Sequence, residues 1–279
     1  ICTDKTGTLT QNKIEVSEVI PVDIASENNK ELLTRIGMLC NTASVEINNN
    51  GVNEIGDPLE TGLLKYAYKQ GVLKEQVEKI FPKIHEVPFS SETKMMATLH
   101  KNGNGFTVFA KGAAEELLNQ CTFIVNGYDK SQLTEQLKDE WKHKSEKLAA
   151  SGLRIIAGAY KETTSENTPL LEDLIFAGLY CMIDPPAEDV YQAIQEAKDA
   201  GIRVVMITGD HPATANCIAN QLHISSENEP ISGKDMQPYE HLTEIDKQKW
   251  LQTSVFARVT PAQKLDLVTV LQEQGNIVG

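Results

Sequence analysis

From about residue 175 to the end of the chain, apolar segments typical of buried strands alternate with segments of helical periodicity. The runs at 174–183 and 202–207 are almost continuously apolar, as in parallel strands that are covered on both faces. The residues between these runs that repeat at the spacing of one helix face are Val190, Ala193, Ile194 and Ala197. Strands that alternate with helices predict an open, parallel, doubly wound α/β sheet.

The preceding region, residues 14–175, has a different pattern. Strand-like segments at 94–100 and 106–111 flank an Asn-Gly-Asn-Gly string at 102–105, which is a strong hairpin signal. Residues 153–160 are mostly apolar and partly β-branched, and they predict a further strand. Helices are predicted at 30–42, 58–70, 113–120 and 135–150. We therefore expect an α+β domain around an antiparallel sheet.

The first residues indicate how the two regions are connected. A short apolar strand ends at Asp4 and is followed by a turn rich in Gly and Thr. Ligands of open α/β sheets collect at the carboxyl ends of the strands, so we assign this strand to the α/β sheet. The α+β region is then an insertion after that strand. The predicted organisation is one domain formed by 1–13 and 176–279, interrupted by an inserted domain at 14–175.

The charge and the cysteine pattern argue against several classes of function. The net charge is −13, whereas a nucleic-acid partner demands basic patches. The five cysteines form no C-x-x-C pair, which argues against a zinc or redox motif. The longest apolar stretch, 174–183, is half of the ~20 residues that span a bilayer. No segment has the features of a signal peptide.

Asp4 and the turn after it give the strongest indication of chemistry. A carboxylate at the end of a strand, followed by backbone N–H groups and hydroxyls, suits attack on a phosphoryl group and formation of an acyl phosphate. Such chemistry depends on positioning and on charge neutralisation by Mg²⁺ and a lysine. The alternative is a polar turn between a strand and a loop.

Four short motifs resemble those of the P-type cation-transporting ATPases, in the same order. The string DKTGTLT at 4–10 is similar to the phosphorylation motif of that family, DPP at 184–186 to its hinge motif, and TGD at 208–210 to its TGD motif. Lys264, at the end of the string 258–264, resembles the phosphate-site lysine of the family. Taken alone, TGD is typical of a helix N-cap and Lys264 of a solvated helix surface. The resemblance implies that the phosphoryl group is handled by Asp4, Lys5, Thr6, Thr208, Gly209, Asp210 and Lys264.

The inserted region resembles the nucleotide-binding domain of the same family. The resemblance implies that Phe89 stacks on adenine, that Glu60 accepts a hydrogen bond from the adenine amino group, and that Arg154 reaches the β-phosphate. Each has a structural alternative: a core phenylalanine, a first-turn glutamate favoured by the helix dipole, and a surface arginine on an edge strand. The residues implied to bind the nucleotide are Glu60, Phe89, Lys94, Lys111, Gly112, Arg154, Asp184 and Arg258.

The resemblance covers essentially the whole chain and extends to the fold, the ion and the location. The glutamate, phenylalanine and KGA features favour the type II branch, with Ca²⁺ as the preferred ion. The implied fold of the phosphorylation domain is the haloacid-dehalogenase-like Rossmannoid sheet. The implied partners are ATP and the pump's own transmembrane and actuator domains, at the cytoplasmic face of a membrane. Domain closure is expected to bring the γ-phosphate to Asp4.

Thr6 separates two enzymatic interpretations. Phosphatases of the haloacid dehalogenase superfamily often carry a second Asp at this position as general acid/base, and a threonine hydroxyl cannot do that work near pH 7. An acyl phosphate on Asp4 is therefore expected to be long-lived, as a pump requires. The alternatives are a soluble phosphatase of that superfamily with a large cap, and a nucleotide-binding module without chemistry.

The chain also departs from the family pattern. It stops at 276–279, inside a strand and before the family's GDG segment, so the parallel sheet is expected to be truncated at both ends. The Mg²⁺ site would then retain only Asp4 and the Thr6 carbonyl, and we expect this chain to bind ATP with negligible turnover. Ala187 stands where many relatives have arginine.

Overall fold

The computed structural model describes residues 1–11, 13–23, 26–48, 51–127, 129–210, 212–224 and 228–279. It divides into two compact units, which we name by their sheets. The parallel-sheet unit comprises Ile1–Lys13, Ala149–Gly152 and Asp184–Gly279. The antiparallel-sheet unit comprises Ile14–Leu148 and Leu153–Ile183. The main division thus follows Ile183, eight residues beyond the predicted end of the inserted domain at 175.

The structure contains both strands and helices along its whole length. In chain order the strands are β1 (Cys2–Thr3), β2 (Glu15–Pro21), β3 (Ser44–Asn48), β4 (Gly51–Ile55), β5 (Lys83–Val87), β6 (Met95–Asn102), β7 (Gly105–Gly112), β8 (Cys121–Asn126), β9 (Asp129–Gln132), β10 (Arg154–Thr163), β11 (Leu174–Ile183), β12 (Val205–Ile207), β13 (Ile231–Ser232) and β14 (Val255–Ala257). The α-helices are α1 (Glu27–Leu39), α2 (Pro58–Lys69), α3 (Lys74–Ile80), α4 (Ala114–Asn119), α5 (Glu135–Ala150), α6 (Val190–Asp199), α7 (Pro212–Gln221), α8 (Glu244–Gln252) and α9 (Pro261–Glu273).

The large sheet of the antiparallel-sheet unit has the strand order β5-β6-β7-β10-β11-β8-β9, and β2 also pairs with β11. All of these pairs are antiparallel except β8 with β11. The predicted hairpin is confirmed, because β6 and β7 pair from Met95 opposite Gly112 to Asn102 opposite Gly105. The structure is therefore α/β with both parallel and antiparallel sheets.

The strand β11 corrects one prediction. Its ten residues were expected in the parallel sheet, yet they pair antiparallel with β10 and β2 in the other unit. Nine of them are buried, because helices cover both faces of the sheet. Two-sided burial gives a central antiparallel strand the same continuous apolar run as a parallel strand, so hydrophobicity alone does not separate the two.

Two apolar clusters hold this sheet between helices. On one face, Leu33 and Ile36 of α1 pack with Leu63 of α2 and with Tyr180 of β11, whose hydroxyl donates to the Leu33 carbonyl at 2.6 Å. The residues of the other cluster include Leu117, Leu118, Phe176 and Leu179, with Trp141 of α5 packed against them. Both faces of this sheet are thus buried.

In the described part of the parallel-sheet unit, the sheet has four strands in the order β1-β12-β14-β13, and every pair is parallel. The prediction of parallel strands alternating with helices is confirmed for β12 to β14. Pro212 and Pro261 begin α7 and α9, as predicted, and Thr260 forms a capping box with Gln263 at the start of α9. None of the helices in the described part of the chain has the length and apolar character that a bilayer crossing needs.

Candidate functional site

In the parallel-sheet unit, Asp4 lies immediately after β1 and begins a sharp turn. Thr6 has φ −74° and ψ 124° and Gly7 has φ 71° and ψ 4°, which are the angles of a type II turn. A glycine suits the second position because the backbone there is left-handed. The turn leaves the Asp4 side chain 49% exposed, and its Oδ1 accepts a 2.8 Å hydrogen bond from the Lys5 amide.

The first turn of α9 supplies a cation to Asp4. Lys264 Nζ lies 3.1 Å from Asp4 Oδ2, although the two residues are 260 positions apart. The capping box at Thr260 fixes where the helix begins and therefore where Lys264 projects. The structure thus brings together the predicted carboxylate and the predicted lysine.

Lys5 points away from solvent and organises the acidic residues behind the turn. Its side chain is only 6% exposed, and Nζ lies 2.6 Å from Asp210 Oδ2 and 4.0 Å from Asp184 Oδ2. Asp184 also accepts from the Thr10 hydroxyl at 2.6 Å and from the Lys13 amide at 3.2 Å. Lys5 thus pairs with two carboxylates and exposes little of its side chain to solvent.

The TGD segment follows β12 and faces the same turn. Asp210 Oδ2 accepts a long hydrogen bond, 3.4 Å, from the Thr6 hydroxyl. The Asp210 amide donates to the buried Thr208 hydroxyl at 3.1 Å, and its carbonyl accepts from the Arg258 amide at 2.9 Å. A Cβ at Gly209 would meet no atom within 4 Å, so this position is open to solvent. Arg258 has a φ of 52°, an uncommon conformation for a residue other than glycine.

The antiparallel-sheet unit contains a cleft of about 450 Å³. Six of the residues predicted to bind nucleotide line it, namely Glu60, Phe89, Lys94, Lys111, Gly112 and Arg154. The other two, Asp184 and Arg258, belong to the parallel-sheet unit. Apolar walls with a few converging charges are typical of small-molecule sites.

Glu60 and Lys111 form a buried ion pair at the cleft. Lys111 Nζ lies 2.6 Å from Glu60 Oε1, and both side chains are less than a tenth exposed. Burial raises the pKa of Glu60, but the charge of Lys111 and hydrogen bonds from Lys111 and Thr42 outweigh it, so that the pKa lies below its ordinary value. Glu60 therefore remains an ionised, acceptor-only group at neutral pH.

The remaining cleft residues differ in exposure. Phe89 is 62% exposed, which leaves a ring face available for stacking. Lys94 has a left-handed φ of 55° and pairs with Glu116, whose hydrogen bond raises the pKa of Lys94. A Cβ at Gly112 would lie 2.6 Å from the Lys94 carbonyl, so only glycine fits at this point of the wall.

The contacts of three residues at these sites were not predicted from the sequence. Thr42 and Asp57 line the cleft beside Glu60, and Asp57 also caps α2 by accepting from the Leu59 amide at 2.8 Å. The Asp-Pro pair at 57–58 is an N-terminal helix signal that could have identified Asp57. The third is Thr10, which binds Asp184.

Comparison with known proteins identifies relatives of the chain. Residues 29–189 match the family model described as the P-type ATPase, cytoplasmic domain N. A calcium-transporting ATPase of Bacillus cereus is 38% identical over 100% of this chain and 32% of its own length. A calcium-transporting ATPase of Listeria monocytogenes is 35% identical over 99% of this chain and 33% of its own length.

A more distant relative has a different named ion. The sodium/potassium-transporting ATPase subunit alpha of Tetronarce californica is 32% identical over 100% of this chain and 33% of its own length. The chain thus spans about a third of the length of the curated relatives it matches.

Proposed function

The chain belongs to the P-type ATPases, and on that premise we propose that it is the ATP-binding and phosphorylated cytoplasmic part of an ATP-driven cation pump. The observation that carries the proposal is the pairing of Asp4 with Lys264, 3.1 Å apart, at the carboxyl end of a parallel strand. An exposed carboxylate next to one cation suits a nucleophile that must approach a polyphosphate.

We assign ATP to the cleft of the antiparallel-sheet unit. Phe89 would stack on the base, the ionised Glu60 would accept from the adenine amino group, and Lys94 and Arg154 would neutralise the phosphates. Lys111 would hold Glu60 in place, and Gly112 would keep the cleft wall open. Asp184 and Arg258 are instead proposed to support the phosphorylation site, since they belong to the unit that contains Asp4.

Phosphoryl transfer is proposed to occur on Asp4. A carboxylate oxygen of Asp4 attacks the γ-phosphorus, the bond from that phosphorus to the β–γ bridging oxygen breaks, and ADP leaves with its electron pair. The product is an acyl phosphate on Asp4. Lys264 would offset the negative charge of the group in transit, while the Thr208 hydroxyl and Lys5 hold Asp210 beside the turn. Thr6 and Gly209 would border the arriving phosphate.

Mg²⁺ fits the donor chemistry of this turn. The partly exposed Asp4 carboxylate and the Thr6 carbonyl are hard oxygen ligands of the kind that Mg²⁺ prefers, and the ion usually keeps several waters besides. We propose that these two groups hold it. A bound Mg²⁺ would supply charge neutralisation to the phosphoryl group.

The fold and the ion complete the proposal. We propose a haloacid-dehalogenase-like phosphorylation domain formed by the parallel-sheet unit, with the antiparallel-sheet unit as its insertion. Thr6 in place of a second acid favours a stable acyl phosphate over the phosphatase alternative. Ca²⁺ is the proposed ion, because two relatives at 35–38% identity are named calcium-transporting. The transmembrane and actuator domains of the same pump are the proposed partners.

Nucleotide titration of the 279-residue chain tests the assignment of the cleft. We expect ATP to bind with a dissociation constant on the order of 0.1–1 mM by calorimetry. Phe89→Ala should weaken binding by about 1–3 kcal/mol, the usual value of one stacked base. Ile84→Ala is the matched control, since Ile84 is also exposed but lies on β5, outside the cleft. Equal affinity of Phe89→Ala and the parent would remove Phe89 from the site.

Acid-quenched labelling of the full-length protein tests the chemistry. With ATP carrying a labelled γ-phosphate, label should appear on Asp4 and disappear in Asp4→Asn, while ATP binding persists or improves because one anion is lost. A module without chemistry would never be labelled. A phosphatase would instead release phosphate from small phosphoesters. Label that survives in Asp4→Asn would contradict the nucleophile assignment.

A further inference from the structure

We propose that Thr42 is a positioning residue that makes the cleft selective for a base carrying an exocyclic amino group, by holding the Glu60 carboxylate as an acceptor. The inference rests on the proposed function of the cleft as a nucleotide site. Thr42 lines the cleft and is exposed, so its side chain can change without disturbing the core.

The Glu60 carboxylate is held by donors on both oxygens. Oε1 faces Lys111 Nζ at 2.6 Å. Oε2 accepts from the Thr42 amide at 3.0 Å, from the Thr42 hydroxyl at 2.7 Å and from the Ala43 amide at 3.1 Å. The hydroxyl of Thr42 gives the shortest of the three bonds to Oε2, and it is the one that a substitution can remove while the two backbone amides remain.

The loop that carries Thr42 is itself anchored on both sides. The buried Asn41 donates to the carbonyls of Gly37 and Glu60 at 3.1 and 2.9 Å and accepts from the Ala43 amide at 2.8 Å. Lys74 Nζ donates to the Ala43 carbonyl at 2.9 Å. Loss of the Thr42 hydroxyl should therefore leave the loop backbone in place and affect chiefly the orientation of the carboxylate.

The orientation of the Glu60 carboxylate decides from which base it can accept a hydrogen bond. The terminal torsion of a glutamate side chain is broad and roughly two-fold, so a carboxylate turns readily unless both oxygens are held. An ionised carboxylate offers only acceptor lone pairs and therefore favours a base that donates an N–H toward it. Without the Thr42 hydroxyl, Oε2 keeps the two longer bonds from the backbone amides, so the carboxylate has more freedom to turn and would meet the same amino group in a poorer geometry. Hydrogen bonds weaken steeply as the angle departs from linear.

The test compares two nucleotides that differ in one group. ATP and purine riboside 5′-triphosphate, in which hydrogen replaces the amino group, are titrated into the 279-residue chain by calorimetry. We expect the parent to prefer ATP by roughly tenfold, the value of one hydrogen bond to a charged acceptor. Thr42→Val and Thr42→Ala should reduce that preference to about two- to threefold, and Thr42→Ser should retain it, because serine keeps the hydroxyl.

Thr122→Val is the matched control. Thr122 also donates its hydroxyl to a carboxylate, that of Asp173 at 3.0 Å, but it lies on β8 outside the cleft. The preference for ATP should be unchanged in this variant. Melting temperatures of all variants separate a change in selectivity from a loss of fold. Thr42→Val and Thr42→Ala are both tested so that the comparison remains possible when one of them does not fold.

The outcomes distinguish the inference from the function on which it rests. Retained preference in Thr42→Val and Thr42→Ala, or equal affinity of the parent for both nucleotides, would overturn the role of Thr42 while leaving ATP binding intact. Loss of preference in Thr42→Ser as well would also overturn it, since the hydroxyl would not be the cause. Failure of the parent to bind either nucleotide would overturn both proposals.

Discussion

Lys264 Nζ contacts Asp4 Oδ2 at 3.1 Å, and this contact joins the first strand of the parallel-sheet unit to its last helix. Both side chains are partly exposed, at 36% and 49%, so the pair adds little to the stability of the fold. Its value to the protein should therefore lie in the charge presented to a phosphoryl group. The effect of this pair on stability can be measured separately from its effect on phosphoryl transfer.

We expect Lys264→Met to change the free energy of unfolding by less than ~1 kcal/mol, as for other surface ion pairs. In the full-length protein it should slow labelling of Asp4 from ATP by about 10²-fold, because one stabilising charge is lost from the transition state. Lys249→Met, on an exposed position of α8, is the control for removal of a lysine from the same unit. Normal labelling in Lys264→Met would refute the assignment.

Lys5 is the more buried partner of the Lys5–Asp210 pair. Substitutions of the two residues should therefore lower the free energy of unfolding by different amounts. Among the described residues, Asp210→Asn leaves the buried Lys5 ammonium with Asp184 as its remaining carboxylate partner. Lys5→Met instead removes the buried cation, and Asp184 keeps its hydrogen bonds from Thr10 and Lys13. We expect Asp210→Asn to cost roughly 3 kcal/mol of stability and Lys5→Met about 1 kcal/mol.

Urea unfolding measures this asymmetry in a Trp141→Phe background. Trp250 then remains as the fluorescent reporter, and it is buried in the parallel-sheet unit. Equal costs of the two substitutions would show that the ammonium of Lys5 is well solvated after all.

Two glycines are predicted to respond differently to an added methyl group. A Cβ at Gly112 would lie 2.6 Å from a backbone carbonyl and 2.8 Å from Met95 Cγ, whereas one at Gly209 would meet nothing within 4 Å. Gly112→Ala should lower stability by about 1–3 kcal/mol and weaken ATP binding, because the cleft wall must shift. Gly209→Ala should alter stability by no more than ~1 kcal/mol. Thermal melts measure the change in stability, and titration measures the change in ATP affinity. A Gly112→Ala variant of unchanged stability would contradict the close packing described at Gly112.

His100 predicts a loss of stability on acidification. It is buried on β6, and its Nδ1 lies 2.8 Å from the Phe81 carbonyl, so Nδ1 carries the proton and donates. Nε2 is buried and has no hydrogen-bond partner among the residues that the structure describes. Burial lowers the pKa of His100, and the nearby charge of Lys83 lowers it further, against the opposing effect of the Phe81 hydrogen bond.

The sign of the pH effect follows from that direction. Below the unfolded-state pKa of about 6.5 the unfolded chain binds a proton that the folded chain does not, so stability falls as the pH drops from there toward the folded-state pKa. Urea unfolding at pH 7.5 and 5.5, in a Trp250→Phe background that leaves Trp141 as reporter, should show this loss. His100→Gln should diminish it, and His85→Gln, at an exposed position on β5, should not.

The sequence predicted those elements whose conformation is determined by residues close together in the chain. The hairpin at β6–β7 follows from Asn-Gly turn chemistry, and α5 begins at residue 135 and ends at 150 as its helical pattern indicates. The strand β11 was misassigned because its sheet is decided by long-range pairing with β10 and β2. An apolar run records burial but not the partner that causes it.

The candidate sites show the same limit. Motif strings identified the residue types at 4–10, 208–210 and 264, but not that Lys5 would be buried against Asp210, since lysine is seldom buried. Thr42 was missed because its partner Glu60 lies 18 positions away and reaches it only when α1 and α2 pack side by side. A side-chain contact that forms only when separate helices or strands pack together leaves no periodic pattern in the sequence.

The first and last strands of the antiparallel-sheet unit are neighbours, with Glu15 opposite Ile183. Adjacent strands are separated by about 4.8 Å, so the two ends of the segment from Glu15 to Ile183 lie next to each other. The parallel sheet, whose sequence this segment interrupts, therefore has only a narrow gap to bridge between the ends of the segment. The entropic cost of bringing those ends together rises only slowly with the length of the segment. Such a segment can lengthen or shorten without moving the strand β1 that precedes Asp4.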